Sequence, residues 1–415
     1  MSRTHVPWRP ASLSEFIGQE PAKKRLSMRV RADIAQCTPL PHMLLYGPPG
    51  TGKTTLAELL AHERGCAMMP TTGYKLQKRT DVWMLLKGLP LDGFRREDER
   101  LVRIPGIPTK PVILFVDEIQ GISNEAAELL YRPLEDAVWP CTATMNGVRD
   151  QFIYWDLPPF TLIGAATDAG DLPQPLVDRL KTHIYMEPYT PDEMRRITAS
   201  HAAKAIERAE EIASENSGTT FYPRIWNEGA IEAISIRSRS TPRIAASLVA
   251  EVASWAVVER ASVVGTVLVD RVMAALGIDE CGLGELDRRI MRTLAAVGKP
   301  VGIEALAAML HDTRNNIAMA ERYLMSLGAI HRTARGRELT KKGTEMVAGW
   351  DGERGDEDAE DTLGDLTMLR EMVGMIDDED DEFEAPAMTA AATVTTKDPW
   401  AAARDPNLAR MPGSM

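Results

Sequence analysis

The sequence predicts an α/β fold for the first part of the chain and smaller, mainly helical units after it. Up to residue 188, apolar runs long enough for one buried strand alternate with helical segments. From residue 189 to about 278, apolar residues recur only at helical spacing, with no strand-like run. Residues 285–349 combine three helical segments with two short strand-like runs around Gly336, which is the pattern of a winged helix.

These patterns place the predicted elements in chain order. Buried strands are expected at 43–46, 112–116 and 161–165, and a helix at 54–64 follows the first of them. Further helices are expected at 191–213, 227–238, 242–260, 269–276, 286–296, 303–310 and 318–327. Asn146-Gly147 is a strong tight-turn signal and predicts a hairpin around these two residues. We therefore expect domains at 1–188, 189–278 and 279–349, and a tail over 350–415.

The tail accounts for the acidity of the chain. The formal net charge is −12, but residues 351–384 contain sixteen acidic and two basic residues, so the remaining chain sums to +2. The overall acidity therefore does not exclude a DNA-binding surface.

The tail has too little apolar content to fold alone, so we expect it to be disordered. Its apolar residues at helical spacing predict either a helix that docks on an unknown partner or a strip that covers the basic wing, and a merely solubilising tail is the alternative. They are Leu363, Leu366, Leu369, Val373 and Ile376.

Composition also limits the compartment and the type of site. No apolar run approaches the roughly 18 residues of a membrane span, and the N-terminus lacks an apolar secretory core. We therefore expect a cytoplasmic protein without membrane contact. The four scattered cysteines contain no C-x-x-C pair, which argues against a disulfide framework or a zinc site.

Residues 47–54 have the spacing G-x-x-x-x-G-K-[ST] of a nucleotide phosphate cradle, with an expected strand before them and an expected helix after them. Glycines let several backbone N–H groups converge on phosphates. Lys53 is expected to reach the β- and γ-phosphates, and the Thr54 hydroxyl to ligate Mg²⁺. The residues predicted to surround the phosphates are Gly47, Pro48, Pro49, Gly50, Thr51, Gly52, Lys53, Thr54 and Thr55.

Two further strand ends supply the rest of a site for ATP and Mg²⁺. The strand expected at 112–116 delivers Asp117 to the Mg²⁺ shell, and Glu118 is placed to polarise the attacking water. The strand expected at 161–165 leads to Thr167, whose hydroxyl is placed to sense the γ-phosphate. These residue types predict an ATP hydrolase.

Several motifs resemble the RuvB branch-migration motors, which are AAA+ ATPases. The resemblance runs from about residue 9 to residue 342. Besides the cradle, it rests on Arg9-Pro10 with Phe16-Ile-Gly-Gln19, and on the segments at 156–164, 240–245 and 332–337. It implies an AAA+ P-loop ATPase domain, a helical lid domain and a C-terminal winged-helix domain. The implied activity is ATP-driven translocation of duplex DNA for branch migration of Holliday junctions in recombination and repair.

The resemblance also implies roles at matching positions. Thr167 resembles the first sensor, and Arg243 the second sensor, which reaches the γ-phosphate. Arg179 resembles the arginine finger that enters the neighbouring subunit's site, which implies a homo-oligomeric ring, expected to be a hexamer. Ile17 and Tyr189 stand where the family holds adenine. Each of these roles has a simpler structural alternative. Arg179 would then be a surface arginine, Arg243 would form a salt bridge in the lid, and Tyr189 would be a packed aromatic residue.

The predicted wing suggests how such a protein would hold DNA. Arg332, Arg335 and Arg337 alternate there, so we expect them to line one edge and meet successive phosphates of duplex or junction DNA. A solvated basic hairpin is the alternative. The family's hairpin at 136–156 projects toward RuvA, the junction-binding partner.

The chain departs from the family at several places. Residues 87–111 form an insertion, and Gln120-Gly121 stands where His-Arg is usual. Asp168 follows Thr167 where the family has Arg. The hairpin arms share little with the family and carry four aromatic residues: Trp139, Phe152, Tyr154 and Trp155. These departures leave open an AAA+ loader or remodeller acting on a protein at DNA. Glu118 and Arg179 argue against a scaffold without hydrolysis.

Overall fold

The computed structural model describes residues 10, 12–36, 38–107, 111–145, 148–215 and 223–352. The chain divides into two compact units, residues 1–289 and 290–415. The expected turn at Asn146-Gly147 and the tail from residue 353 onward lie outside the described residues, as does the Phe152 side chain. Within the described residues, every helix is too short or too polar to span a bilayer.

A parallel sheet with helices around it forms the first part of the first unit. Its elements are α1 (Glu20–Gln36), β1 (Met43–Tyr46), α2 (Lys53–Arg64), β2 (Ala67–Thr72), α3 (Arg79–Lys87), β3 (Phe94–Glu97), β4 (Arg100–Arg103), β5 (Val112–Asp117), α4 (Asn124–Asp136), β6 (Val138–Met145), β7 (Val148–Asp156), β8 (Phe160–Ala166), α5 (Gln174–Arg179) and β9 (Thr182–Tyr185). Five of the strands pair in parallel in the order β2-β5-β8-β1-β9.

The three strands predicted from apolar runs, β1, β5 and β8, are the central ones. Both faces of these strands are covered, which explains why their sequences are mainly apolar. In β5, Val112, Leu114 and Val116 belong to the core on one face, whereas Ile113 and Phe115 belong to the core on the other. The carboxyl ends of these central strands hold the candidate site.

Helices dominate the rest of the first unit. They are α6 (Pro191–Glu215), α7 (Glu228–Arg237), α8 (Pro242–Val258), α9 (Thr266–Ala275) and the start of α10 (Glu285–Val297). The expectation that this region contains no strand is wrong. Ile225–Trp226, β10, pairs in parallel with Val263–Val264, β11. Strands of two residues are too short to show an alternating apolar pattern.

The second unit contains the end of α10, α11 (Ile303–Met309), α12 (Arg314–Ser326), β12 (Ile330–Thr333), β13 (Gly336–Leu339) and α13 (Lys341–Gly352). Three helices followed by the antiparallel pair β12–β13 confirm the expected winged helix. Helix α12 begins four residues before its expected start, because the Thr313 hydroxyl caps it by accepting from the Asn316 N–H at 3.3 Å. Helix α13 was not predicted from the sequence.

The insertion forms the antiparallel hairpin β3–β4, which packs against the base of the second hairpin, β6–β7. The Asp156 N–H donates to the Glu99 carbonyl at 2.9 Å, and the Leu101 N–H donates to the Asp156 carboxylate at 3.1 Å. Arg96 donates to the Asp156 carbonyl at 2.8 Å and lies over the Trp155 ring at 4.3 Å. The insertion thus braces the base of the β6–β7 hairpin.

Helix α3 covers the same base. Trp83 packs against Trp139 and Trp155, each with ring centroids 5.5 Å apart. Arg79 donates to the Pro140 carbonyl at 3.0 Å. Trp139 is therefore core, as is most of Trp155, whereas Tyr154 is 53% exposed. Of the aromatic residues predicted in the arms, Tyr154 is the one that remains available to a partner among the described side chains.

We predict that Arg96→Met loosens the base of the β6–β7 hairpin, because it removes the guanidinium donor but keeps an apolar stem. Loss of the hydrogen bonds from Arg96 to the Asp156 and Glu99 carbonyls, at 2.8 and 3.4 Å, and of a cation–π contact amounts to about 1–2 kcal/mol. Amide exchange in peptides covering 138–140 and 154–157 should therefore accelerate about tenfold. Hydrogen-exchange mass spectrometry measures this. Arg95→Met is the matched control, because exposed Arg95 pairs with exposed Glu97. Equal acceleration of amide exchange in both variants would show that Arg96 does not stabilise the base of the β6–β7 hairpin.

Candidate functional site

A cavity of about 370 Å³ lies in the first unit, where the carboxyl ends of β5 and β8 meet the start of α2. Most of the residues predicted from the sequence line it. They are Ile17, Pro49, Gly50, Gly52, Lys53, Thr54, Thr55, Asp117, Glu118, Thr167, Tyr189 and Arg243. The predicted residues that do not line it are Gly47, Pro48, Thr51 and Arg179.

The loop before α2 depends on glycine. Gly47, Gly50 and Gly52 have φ values of 140°, 78° and 92°, which other residues rarely adopt. A Cβ atom on Gly47 would lie 2.3 Å from the Met186 carbonyl oxygen, and one on Gly52 would lie 2.9 Å from the Phe16 ring. The loop turns directly into the N-terminus of α2, where free N–H groups and the helix dipole attract anions.

Charged groups of both signs converge at this loop. The Lys53 ammonium donates to the carbonyls of Gly47 and Pro48 at 2.7 and 2.9 Å. Burial lowers the pKa of Lys53, the charges of Asp117 and Glu118 oppose that shift, and Arg243 adds to it. Lys53 is thus close enough to all three groups for their charges to act on it. Two cations, Lys53 and Arg243, beside two carboxylates, Asp117 and Glu118, are suited to bind a polyanion such as a phosphate chain.

Asp117 and Glu118 follow each other at the end of β5 but differ in conformation. Asp117 is half-buried and ends the strand, whereas Glu118 is exposed and has left-handed backbone angles, φ 48° and ψ 48°. This conformation is uncommon for a residue with a side chain, and such residues concentrate at functional sites. Thr167 directly follows the neighbouring strand β8.

Tyr189 packs its ring against the cavity and uses its hydroxyl to hold the loop. The side chain is buried, and the hydroxyl donates to the Thr51 carbonyl at 2.9 Å. Burial, followed by the Glu193 charge, raises the pKa of Tyr189, so the hydroxyl stays protonated. Ile17 packs beside it in the same apolar cluster. These two residues form an apolar end of the cavity.

Arg179 does not line the cavity of its own chain. Its guanidinium pairs with Glu135 at 3.0 Å, lies over the Tyr131 ring at 4.3 Å and donates to the Pro175 carbonyl at 2.8 Å. The structure therefore brings Lys53, Asp117, Glu118, Thr167 and Arg243 together, and leaves Arg179 apart from them.

Comparison with known families accounts for this arrangement. The model of the Holliday junction DNA helicase RuvB P-loop domain matches residues 8–186, the RuvB AAA lid domain matches 206–279, and the RuvB C-terminal winged helix domain matches 280–348. The chain belongs to the RuvB family. The predicted resemblance and the predicted fold, a P-loop ATPase domain with an AAA lid and a winged helix, are thereby confirmed, and membership of this P-loop ATPase family implies nucleotide binding.

Individual RuvB proteins match most of the chain. The Holliday junction branch migration complex subunit RuvB of Limosilactobacillus reuteri (strain DSM 20016) is 36% identical over 342 residues, 82% of this chain and 90% of its own length. The subunit of the same name from Gluconobacter oxydans (strain 621H) is 35% identical over 339 residues, 81% of this chain and 86% of its own length. A solved structure of the Thermotoga maritima RuvB Holliday junction branch migration motor is 33% identical, with a TM-score of 0.64, and covers 82% of this chain and 98% of that one.

One wall of the cavity was not predicted from the sequence. Ile197, Ser200, His201 and Lys204 line it from α6, at the i, i+3, i+4, i+7 spacing of one helix face. That spacing was the available signal, but a sequence does not say which face of a helix meets a cavity. Burial, with a smaller contribution from Lys204, lowers the pKa of His201 to about 4, so this wall presents a neutral imidazole at neutral pH.

In the wing of this RuvB-family chain, two of the three predicted arginines share one carboxylate. Arg332 and Arg337 face each other across β12 and β13 and both donate to the buried Glu321 of α12, with closest contacts of 2.5 and 3.0 Å. Arg335 lies in the turn between the strands and is exposed. The Glu321 carboxylate therefore neutralises part of the positive charge that the sequence predicted for this edge of the wing.

Proposed function

We propose that this chain is an ATP-driven DNA motor that moves duplex DNA during branch migration of Holliday junctions, in recombination and repair. The observation that carries the proposal is the convergence of Lys53, Asp117, Glu118 and Arg243 on one cavity in a chain of the RuvB family. In the proposed division of labour, residues 1–188 hydrolyse ATP, residues 189–278 close over it and residues 279–349 contact DNA.

The chemistry proposed for the site assigns one task to each group. The N–H groups of the loop and of the α2 N-terminus bind the phosphates. Lys53 and Arg243 supply positive charge near the γ-phosphate, and the Thr167 hydroxyl contacts it. Glu118 accepts a hydrogen bond from the attacking water and orients it. Ile17 and Tyr189 hold the adenine by apolar contact.

Mg²⁺ fits the oxygen donors in this cavity. Thr54 at the start of α2 and Asp117 at the end of β5 both line it. No cluster of three or more His, Cys, Asp or Glu side chains that would suit a metal occurs in the part of the chain that the structure describes. A site with two protein oxygens, completed by phosphate and water, is the usual arrangement for Mg²⁺. When bound, the ion neutralises charge on the β- and γ-phosphates.

We propose that Arg179 acts on the site of the neighbouring subunit, and that the subunits form a ring, taken to be a hexamer. Arg179 does not line the cavity of its own chain and contacts Glu135 and Tyr131 instead, which supports this. Hydrolysis then depends on assembly, because the site lacks one positive charge until a neighbour supplies it.

The proposed DNA contacts lie on the wing. Arg335 offers an uncommitted charge in the turn, and Arg332 is 55% exposed, so both can meet phosphates. Arg337 is 15% exposed and would act mainly by holding the wing in shape. A RuvA-type junction-binding protein is the proposed partner of the braced β6–β7 hairpin, since the L. reuteri and G. oxydans relatives are named as subunits of a branch migration complex.

The function is tested with a synthetic four-way junction. We expect duplex DNA to stimulate ATP hydrolysis strongly. When ATP and a RuvA-type protein are present, branch migration should separate the junction into two duplexes. The stimulation should fall steeply with added salt, because phosphate contacts release counterions. Lys53→Ala is the negative control. Stimulation by a protein partner alone, without junction movement, would instead support a loader or remodeller.

A further inference from the structure

Gln120 holds the carboxylate of Glu118. The Gln120 side-chain amide Nε2 donates to Glu118 Oε2 at 2.6 Å, which is a short hydrogen bond. Glu118 is otherwise an exposed side chain on a left-handed backbone, a placement that gives a carboxylate many orientations. With Oε2 engaged, Oε1 remains to accept from a water molecule.

The turn that carries Gln120 is itself fixed. Ile119 is fully buried, and the Gly121 N–H donates back to the Glu118 carbonyl at 2.8 Å. The amide of Gln120 therefore approaches Glu118 from an anchored turn rather than from a loose loop. A donor held in this way costs less entropy when it orients its acceptor.

Gln77 clamps this turn from the neighbouring segment. Its side-chain amide donates to the Gly121 carbonyl at 2.8 Å and to the Gly73 carbonyl at 3.2 Å, and the Ser123 hydroxyl donates to the Gln77 carbonyl at 2.8 Å. A Cβ on Gly73 would lie 2.3 Å from the Glu118 carbonyl oxygen. The two segments are thus in direct backbone contact beside Glu118.

We propose that Gln120 and Gln77 are positioning residues for ATP hydrolysis: Gln120 orients the Glu118 carboxylate, and Gln77 fixes the turn that carries both. This inference rests on the proposed role of Glu118 in hydrolysis. Neither glutamine lines the nucleotide cavity, so ATP binding does not depend on them. Misorientation of a catalytic group by about 1 Å lowers a rate about 100-fold, which sets the upper limit of the expected effect.

The test separates turnover from binding in the full-length protein. Gln120→Leu keeps the size of the side chain but removes its donor, and Gln120→His restores an N–H donor with the residue that the family usually has here. We expect Gln120→Leu to lower kcat about 10-fold to 100-fold with ATP affinity unchanged, and Gln120→His to recover most of the loss. Gln77→Leu should lower kcat by less, and the double Leu variant should be no worse than Gln120→Leu, since both act on one carboxylate.

Controls keep the proposal distinct from the proposed function. Ser254→Ala, on an exposed face of α8, should leave kcat and affinity unchanged. Binding of a fluorescent non-hydrolysable ATP analogue measures affinity, and thermal unfolding verifies that each variant is folded. Wild-type kcat in Gln120→Leu, or an equal loss in Gln120→Leu and Gln120→His, overturns the positioning role. A wild-type protein without turnover would instead overturn the proposed function.

Discussion

Lys53→Ala and Arg179→Ala should each abolish ATP hydrolysis, and a mixture of the two variants should recover part of it. Lys53 lines the cavity, whereas Arg179 does not and pairs with Glu135, so the two charges proposed to act on one γ-phosphate come from different subunits. An arginine supplied in trans contributes roughly 10³–10⁵ in rate where it has been measured in GTPases. In a ring assembled at random from equal amounts, about a quarter of the cavities combine an intact Lys53 with a neighbour's intact Arg179.

Steady-state hydrolysis against the mixing ratio measures this recovery. It should peak near equal amounts and reach about a quarter of the wild-type rate. Arg132→Ala is the matched control, because exposed Arg132 pairs with Asp136 on the helix that also carries Glu135. It should hydrolyse ATP alone. Native mass spectrometry must show that the two variants co-assemble. If they do and no activity returns, the site is not shared between subunits.

The sequence predicted the central sheet well because burial there is symmetric. β1, β5 and β8 are covered on both faces, so each reads as a mainly apolar run, and the hydroxyl of Thr161 in β8 donates to the Leu40 carbonyl at 2.7 Å. The strands at the two edges of the sheet, β2 and β9, were not predicted. Pro70, Thr71 and Thr72 stand in β2, and Thr182 and His183 in β9, so neither strand shows that signal. Proline is tolerated in β2 because it is an edge strand.

The site residues that belong to local sequence motifs could be predicted from the sequence. The loop glycines, Lys53 and the Asp117–Glu118 pair are set by local spacing. The structure brings them together at the carboxyl ends of β1 and β5, which lie on either side of β8. The wall from α6 and the pairing of Gln77 with Gly121 depend on how distant segments pack. A single sequence carries no spacing rule for such contacts.

The wing illustrates the same limit for charge. The sequence predicts that Arg332, Arg335 and Arg337 line one edge. Arg332 and Arg337 are cross-strand partners on one face of the wing, but their side chains converge on Glu321. Glu321 lies 11 and 16 positions before them on α12, so no local pattern reveals the pairing. This buried carboxylate is the second place where a substitution should have a large effect.

Glu321→Gln should destabilise the second unit by about 2–3 kcal/mol, because it leaves the guanidinium of poorly exposed Arg337 without a counter-charge. The effect should depend on pH. Burial raises the pKa of Glu321, but the hydrogen bonds from Arg332 and Arg337 outweigh burial, so the pKa lies below its ordinary value of 4.5. For a carboxyl group whose folded pKa is lowered, the stabilisation is complete above the unfolded pKa and is lost as pH falls through the folded pKa. Wild-type stability should therefore decline below about pH 4.5, and the variant should show less of that decline.

Urea unfolding between pH 7 and pH 3, followed by hydrogen exchange in peptides covering 300–349, resolves both effects. Glu304→Gln is the matched control in the same unit, because Glu304 and its partner Arg314 are both more than 60% exposed and such pairs contribute little. If Glu321→Gln is as stable as Glu304→Gln at pH 7, hydration of Arg332 and Arg337 replaces their pairing with Glu321 at no cost in stability. The wing would then carry three free charges, as the sequence had predicted, and the carboxylate would not determine its shape.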